Sequence, residues 1–377
     1  MIVPASTLPD DLVPARGDPA PGEARSRAAP ERARASVRSI PAWLPWLLGR
    51  LASAVATIAA ISLIVFAATQ ALPSDPARVI LGPEATEESI AILRHQLGLD
   101  QPIAVQFGHW ASHAASGDFG RSIDSDAPAG EIVAGRFGNS AALILLTLGL
   151  AVPLSLFAGV ALAVRRDRRV DRYVMYGLIL LKALPAFVVG IGLIILFSTS
   201  VLPILPAVSL LDPDRSPFLQ PLFLALPAAT LVLIVSPFLI RLVRASMIDV
   251  LESEFIEAAR LRGLPERRVL WRHAVPNALV PAIQGVAMTV RLLLGGALIV
   301  EVVFSYPGVG NALNSAIQLR DVPVIQAITL LLTVIVVVTN LLADLLTVLL
   351  TPRLRTARNP VLASGARAGL KLKGGGI

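Results

Sequence analysis

The segment EFIEAARLRGLPERRVLWRHAVPNAL, residues 254–279, is the longest polar, cation-rich stretch that lies between two apolar runs of the chain. Ser253 precedes it as a candidate helix N-cap, and Glu254 and Glu257 fall in the first turns, where acidic side chains suit the positive end of a helix dipole. Gly263 is a typical helix end, and Pro265 prevents continuation of that helix. The pattern predicts a short helix and a turn that are held at a membrane face.

The predicted helix has a face of small and apolar side chains. Phe255, Ala258, Ala259 and Arg262 recur at helical spacing, so that one side of the helix carries little bulk. Small side chains allow another surface to approach closely. We therefore expect this helix to be a seat for a second protein.

Composition assigns the chain to the membrane proteins. The 377 residues are 55% hydrophobic, and the mean hydropathy is +0.71, whereas soluble domains are less apolar and carry more charge. The net charge is +7, and the cations lie in clusters beside the apolar runs. This distribution is typical of membrane orientation and differs from the continuous basic face that binds nucleic acid. The chain has no cysteine, which excludes disulfides, thiolate metal sites and cysteine nucleophiles.

Six apolar runs are long enough to cross a hydrocarbon core of about 30 Å. They predict an all-α, polytopic membrane protein with about six transmembrane helices and a long extracytoplasmic insertion after the first. Pro185 lies inside the third run and is expected to kink it, because proline removes a backbone donor. The approximate bounds of the runs are 46–72, 140–164, 173–197, 218–243, 279–304 and 324–350.

The distribution of arginine and lysine predicts the orientation. Segment 165–172 carries five such residues and segment 241–272 carries seven, whereas loops 200–217 and 305–323 carry one each. Positive loops are retained in the cytoplasm. Both termini and the polar segment at 254–279 are therefore expected in the cytoplasm.

The remaining parts of the chain are the tails and the insertion. Residues 1–40 are rich in proline, alanine and arginine, a composition that favours a disordered cytoplasmic extension, and residues 357–377 are expected to form a flexible basic cytoplasmic tail. Residues 73–138 form the predicted extracytoplasmic region. There His109 and His113 are four residues apart, as metal ligands on a helix can be, but no third ligand completes a set, and we predict no metal site.

Several motifs carry a resemblance to a known family. Glu257-Ala258-Ala259, Gly263 and Pro276 stand at the spacing of the cytoplasmic coupling loop of bacterial ABC importer permeases, while His273 and Val275 depart from its pattern. Further stretches are similar to the dipeptide/oligopeptide branch of that family. They are LPSDPAR, LGLDQPIAVQF, GDFGRS, ALPAFVVG and GGALIVEVVFSYPGVGNAL.

The resemblance covers residues 46–356 as a transmembrane permease domain, with a coupling loop at 244–277. It implies a multi-pass permease in the bacterial plasma membrane, importing peptides or related small solutes by alternating access. The implied partners are two cytoplasmic ATPase subunits, a second homologous permease, an extracytoplasmic solute-binding protein and membrane lipid, with no nucleic acid. The implied contact with the ATPases involves Glu257, Ala258, Ala259, Arg262, Gly263 and Pro276.

The chain has no nucleotide-binding or catalytic motif of its own. It contains no G-x-x-x-x-G-K-[ST] loop, no H-E-x-x-H and no G-x-S-x-G, so we predict a non-catalytic subunit without cofactors. The alternative is a secondary transporter or channel that works without ATPase partners, and a membrane-embedded enzyme is a third possibility. The first alternative would leave the segment at 254–279 unexplained, and the second has no catalytic constellation in the sequence.

Charged residues inside the apolar runs require an explanation, because each costs about 2.5–3.5 kcal/mol near the middle of a membrane on insertion scales. We predict that Arg291 lines the translocation path and meets a substrate carboxylate, with Lys182 and Glu301 as further candidates along that path. Glu301 and Asp344, near the ends of the fifth and sixth runs, have an alternative explanation as structurally paired acids or as side chains that reach the membrane interface.

Overall fold

The structure, a computed structural model, describes residues 43–70, 76–81, 85–96, 98–199 and 201–350. The tails predicted at 1–40 and 357–377 lie outside the described residues. Over the described parts of the chain the secondary structure is helical, with one isolated bridge between Arg121 and Pro128, and this confirms the all-α prediction. The helices are α1 (Trp43–Gln70), α2 (Pro76–Leu81), α3 (Glu87–Gln96), α4 (Ile103–Ala115), α5 (Ala129–Val164), α6 (Arg169–Ala183), α7 (Ala186–Ser198), α8 (Pro221–Leu251), α9 (Glu254–Leu261), α10 (Glu266–Arg268), α11 (Val275–Val303), α12 (Val309–Leu319) and α13 (Val322–Leu350).

Five helical stretches are long and apolar enough to cross a membrane, or six if the bent pair α6 and α7 counts as one span. This confirms the polytopic fold. The second span differs from its predicted bounds, since α5 begins at Ala129. At about 1.5 Å per residue, its 36 residues exceed the thickness of a bilayer core, so the first turns of α5 extend into the region predicted as extracytoplasmic. The five stretches are Trp46–Gln70, Ala129–Val164, Pro221–Leu251, Glu266–Val303 and Val322–Leu346.

The third span is not the single kinked helix that the sequence predicted. The chain breaks between α6 and α7, whose axes differ by 108°. Leu184 adopts an extended conformation (φ −81°, ψ 132°) immediately before Pro185, because the proline ring disfavours helical geometry in the preceding residue. The proline therefore separates two helices.

The helix α8 is the centre of the bundle and packs along both α5 and α11. The approach of α5 is close at Gly159, where an added Cβ would lie 2.7 Å from the Cβ of Val243 and 3.0 Å from the carbonyl oxygen of Ile240. The main apolar core surrounds α8 with buried side chains from α5 and α11. Its fully buried members include Leu143, Leu231, Val235, Leu293, Val300 and Phe304.

The two ends of the bundle are held by different contacts. At one end the side chain of Gln326 donates to Thr69, and Phe66 packs against Phe107 and Trp110. At the other end Arg50 forms a salt bridge of 3.2 Å with Asp344. The described start of α1 and the end of α13 therefore lie at the same end of the bundle, as an even number of spans requires.

Candidate coupling site

The helix α9 begins where the sequence places it, but its N-cap differs from the expected one. Ser253 is extended (φ −76°, ψ 147°) and makes no side-chain bond to an amide of α9. Its hydroxyl donates instead to the carbonyl of Val250 in the preceding helix, so the predicted side-chain cap is wrong. Glu254 and Glu257 do lie in the first turn, where the helix dipole favours negative charge.

One face of α9 is anchored in the protein and the opposite face is exposed. Ile256 is fully buried and Ala259 is buried, and both pack in a cluster with Val243 and Met247 of α8. Glu257 and Ala258 are exposed. The predicted apolar face is therefore divided, because Ala259 joins the buried side while Phe255, Ala258 and Arg262 stay on the exposed side.

The end of α9 has the geometry that the sequence predicted. Gly263 has φ +75°, a left-handed conformation that glycine adopts without steric cost, and its amide donates to the carbonyl of Arg260. The guanidinium of Arg260 also donates two hydrogen bonds, of 2.7 and 3.1 Å, to the carboxylate of Glu266 across the turn. The hydrogen bonds to Glu266 raise the pKa of Arg260 above its ordinary value. This ion pair closes the turn around Leu264 and Pro265.

The chain re-enters the bundle through a π-helical turn, Val269–Ala274. Pro276, at the start of α11, has no amide to offer the carbonyl of Arg272, the acceptor four residues earlier in a regular helix. A wider turn accommodates this loss. The side-chain amide of Asn277 donates to the carbonyl of His273 at 2.7 Å. Pro276 therefore fixes where α11 begins, and its own ring is exposed.

Two ion pairs connect this end of α8 to the arginine-rich stretch that includes the turn after α5 and the first turn of α6. Arg244 binds Asp171 through two bonds of 2.7 Å each, and only 5% of the Asp171 side chain is exposed. Arg166 binds Glu252 just before α9. Sequence reasoning missed Asp171 and Glu252, because it used the arginine cluster only as a signal of orientation.

At the opposite end of the bundle, Glu301 organises the turn between α11 and α12. Its carboxylate accepts bonds of 2.6 Å from both the Ser140 hydroxyl and the Gly310 amide, and the Ser140 hydroxyl accepts the Val309 amide at 2.8 Å. The residue is fully buried. Glu301, Ser140, Val309 and Gly310 therefore form one buried cluster, which we call the Glu301 unit. In this structure Glu301 faces α12 rather than an open path.

Comparison with known proteins identifies the family. Residues 133–356 match the model of the binding-protein-dependent transport system inner membrane component, and residues 43–154 match that of the N-terminal part of such a membrane component. The chain belongs to this family. The glutathione transport system permease protein GsiC of Salmonella typhimurium strain LT2 is 36% identical over 312 residues, covering 83% of this chain and 99% of that protein. The proteins of the same name from Escherichia coli K12 and Shigella flexneri match with the same identity and coverage.

The predicted resemblance to bacterial ABC importer permeases is thereby confirmed. The protein is an ABC importer permease of the peptide-type family, a multi-pass component of the inner membrane. The permease subunits of this family are not themselves the catalytic part of the transporter. The matched regions together span 43–356, so residues 254–279, the Glu301 unit and all described spans of the permease lie within them.

The charged residues predicted along a path lie in separate places in this permease. Arg291 is exposed, and its guanidinium donates to the side-chain oxygen of Asn340 at 3.1 Å. Lys182 is also exposed and lies 5.7 Å above the ring centre of Phe238. Glu301 is buried at the α12 turn, and Asp344 is paired with Arg50. The structure does not bring Arg291, Lys182 and Glu301 together.

The predicted histidine pair lies on α4, outside the coupling site. His113 approaches Asp118 with its Nδ1 3.2 Å from a carboxylate oxygen. The amide of Gly120 also donates to Asp118, and these two bonds lower the pKa of the Asp118 carboxyl. Over the described parts of the chain, His, Asp and Glu side chains form no group of three that could hold a metal ion.

Proposed function

We propose that this permease couples ATP hydrolysis by two partner ATPase subunits to the inward translocation of a peptide-like solute by alternating access. The observation that carries this proposal is the division of α9 into a buried and an exposed face. Ile256 and Ala259 fix the helix to the core, while Glu257, Ala258 and Arg262 remain exposed. A helix anchored in this way can receive a force on one side and deliver it on the other.

The force would reach two spans at once. The cluster that holds α9 includes Met247 at the end of α8 and Ala278 at the start of α11. Glu252, the residue after α8, is also tied to Arg166 at the α5 end. Displacing α9 would therefore move the ends of several membrane helices together, as opening and closing a path across the bundle requires.

The other partners follow from the kind of transport system. A second permease would complete the pore, a solute-binding protein would deliver the substrate from outside, and lipid would surround the assembly. The relatives are named for glutathione transport, so we propose glutathione or a related peptide as the substrate. We further propose that both termini and α9 lie in the cytoplasm, since the arginine clusters at 165–172 and 241–272 lie at the α9 end of the bundle.

Gly263→Asp is expected to abolish recovery of the ATPase subunits without removing the permease from the membrane. A side chain at Gly263 would have space, because no atom lies within 4 Å of an added Cβ. Aspartate also tolerates the left-handed backbone conformation better than most residues. The new carboxylate would face the docking partner. The measurement is a pull-down of tagged permease from solubilised membranes, with the bound ATPase quantified against the wild type.

Gly263→Asn is the matched control, because asparagine has the same shape and the same backbone tolerance without the charge. We expect it to keep at least about a third of the ATPase recovery, and Gly263→Asp to fall about tenfold or more, equivalent to about 1.4 kcal/mol of binding energy. If the folded wild type recovers no ATPase, the self-sufficient transporter replaces this proposal. If both variants bind like the wild type, the contact lies elsewhere.

Arg291→Gln is expected to reduce uptake about tenfold while ATPase recovery stays normal. A cation in the middle of a span is costly and here has only the neutral Asn340 as its hydrogen-bonding partner among the described residues, which leaves its charge available to a substrate carboxylate. Arg291→Lys, which retains the charge, serves as the control and is expected to keep more activity than the glutamine variant. Unchanged uptake and substrate preference in Arg291→Gln at normal expression would remove Arg291 from the path.

A further inference from the structure

A groove of about 470 Å³ runs along the outside of the bundle, between the end of α5 and the π-helical turn. Its apolar part is formed by α5 and includes Phe157, 67% exposed, and Val164, 53% exposed. Its polar end is formed by Arg165 and Arg168. Trp271, half exposed, closes the side and also borders a second groove that is lined by Pro265, Arg267 and Arg268. We call these two grooves, which share Trp271, the arginine groove.

The four arginines of this groove are unpaired within the described part of the chain. Arg165, Arg168, Arg267 and Arg268 form no side-chain hydrogen bond or salt bridge with another described residue, whereas the acids around them have other partners. Asp167 and Glu252 bind Arg166, Asp171 binds Arg244, and Glu266 binds Arg260. The arginine groove therefore presents positive charge without an internal counter-ion.

The depth of the groove indicates where its occupant lies. Val164 is the last residue of α5, a helix long and apolar enough to cross a membrane, and Phe157 lies seven residues earlier on the same helix. With Val164 at the membrane boundary, Phe157 would lie about 10 Å deeper along the axis. One leaflet of the hydrocarbon core is about 15 Å thick. Tryptophan prefers the boundary between headgroups and acyl chains, and Trp271 lines the same groove as Val164 and Arg165. An occupant must therefore carry negative charge at its outer end, against the arginines, and an apolar part that extends through most of one leaflet.

We propose that the arginine groove binds a phospholipid with an anionic headgroup, with the phosphate against Arg165 and Arg168 and an acyl chain along Phe157 and Val164. A water-soluble subunit would satisfy the arginines but would not reach the depth of Phe157. A neutral lipid would cover Phe157 but would leave the arginines unpaired. Such a lipid site would lie beside residues 254–279, and lipid binding there would not depend on which solute the permease imports.

The test compares two double variants of equal charge in the full chain, co-purified with its transporter partners. Arg165→Gln with Arg168→Gln removes the headgroup contacts. Arg169→Gln with Arg172→Gln removes two exposed cations from the same arginine-rich stretch that do not line the groove. Phosphatidylglycerol and phosphatidylcholine are added in equal amounts, and native mass spectrometry counts the lipids that remain bound.

We expect the wild type and the Arg169/Arg172 variant to retain phosphatidylglycerol in preference to phosphatidylcholine, and the Arg165/Arg168 variant to retain about tenfold less of it. Equal losses in the two variants would show only diffuse attraction and would overturn the site. Displacement of the lipid by excess glycerol 3-phosphate would show that a headgroup alone is sufficient, and would also overturn it.

A second measurement identifies the occupant directly and does not depend on the arginine variants folding. The chain has no cysteine, so Phe157→Cys provides a unique site for a photoactivatable label at the deep end of the groove. Cross-linking to phosphatidylglycerol supports the proposal. Cross-linking to the second permease or to an ATPase subunit would show that a protein fills the groove and would overturn it.

Discussion

Replacing Gly310 with alanine is expected to lower the free energy of unfolding of the permease by about 1–3 kcal/mol, the usual effect of overfilling a packed site. An added Cβ would lie 2.5 Å from the Cα of Leu298 and 2.7 Å from its carbonyl oxygen. Both are backbone atoms of α11 and cannot rotate away. The amide of Gly310 also donates to Glu301, so separating the two helices would weaken this buried bond.

The measurement is the thermal unfolding midpoint of the purified permease in one detergent. Gly295→Ala is the matched control, since Gly295 lies inside α11 with no atom within 4 Å of an added Cβ. There alanine is expected to be neutral or to stabilise the helix by up to about 1 kcal/mol. If the two variants unfold at the same temperature, the close packing of α12 on α11 does not limit stability.

The sequence was sufficient for the features that depend on local chemistry. Hydropathy located the spans, and the end of α9 followed from Gly263 and from Pro265 two residues later. The fifth apolar run was predicted at 279–304, and α11 spans Val275–Val303. Each of these depends on residues that are close in the chain, where backbone rules alone set the result.

Features that depend on distant residues could not be predicted in this way. Glu301 was identified as an unusual charge within a span, but its partner Ser140 lies 161 residues earlier in the chain. Charge and hydropathy patterns give no such pairing. The burial of Ile256, which decides the exposed face of α9, likewise depends on Met247 and Val243 of another helix.

The break at Pro185 shows a different limit. Proline was expected to remove one hydrogen bond and bend a span, and this much follows from its structure. Whether the helix then continues with a kink or stops depends on what packs around it. Here a Cβ added at Gly190 of α7 would lie 3.2 Å from the ring of Phe304 and 3.4 Å from a methyl group of Val303. The end of α11 therefore packs closely on α7, and α6 takes no part in this contact.

Asp171→Asn is expected to destabilise the permease by about 3 kcal/mol. Removing one member of a buried ion pair leaves the other charge uncompensated, at a cost of about 3–5 kcal/mol, and the lower end applies because 20% of the Arg244 side chain remains exposed. Asp167→Asn is the control in the same turn. Its carboxylate is 83% exposed and touches Arg166 at 3.3 Å, and exposed pairs contribute about 0–1 kcal/mol.

Adding Arg244→Gln to Asp171→Asn separates the ion pair from other effects of the substitution. If the pair itself stabilises the junction, the double variant is expected to lose less than the sum of the two single losses, by about 1–3 kcal/mol. Additive losses in thermal or denaturant unfolding would show that each residue acts alone. Since Arg244 lies on the last turns of α8, seven residues before its end at Leu251, a real coupling would mean that the α5–α6 turn fixes the base on which α9 rests. The variants that break the Asp171–Arg244 pair would then also recover less ATPase in the pull-down. Asp167→Asn would keep both its stability and its ATPase recovery.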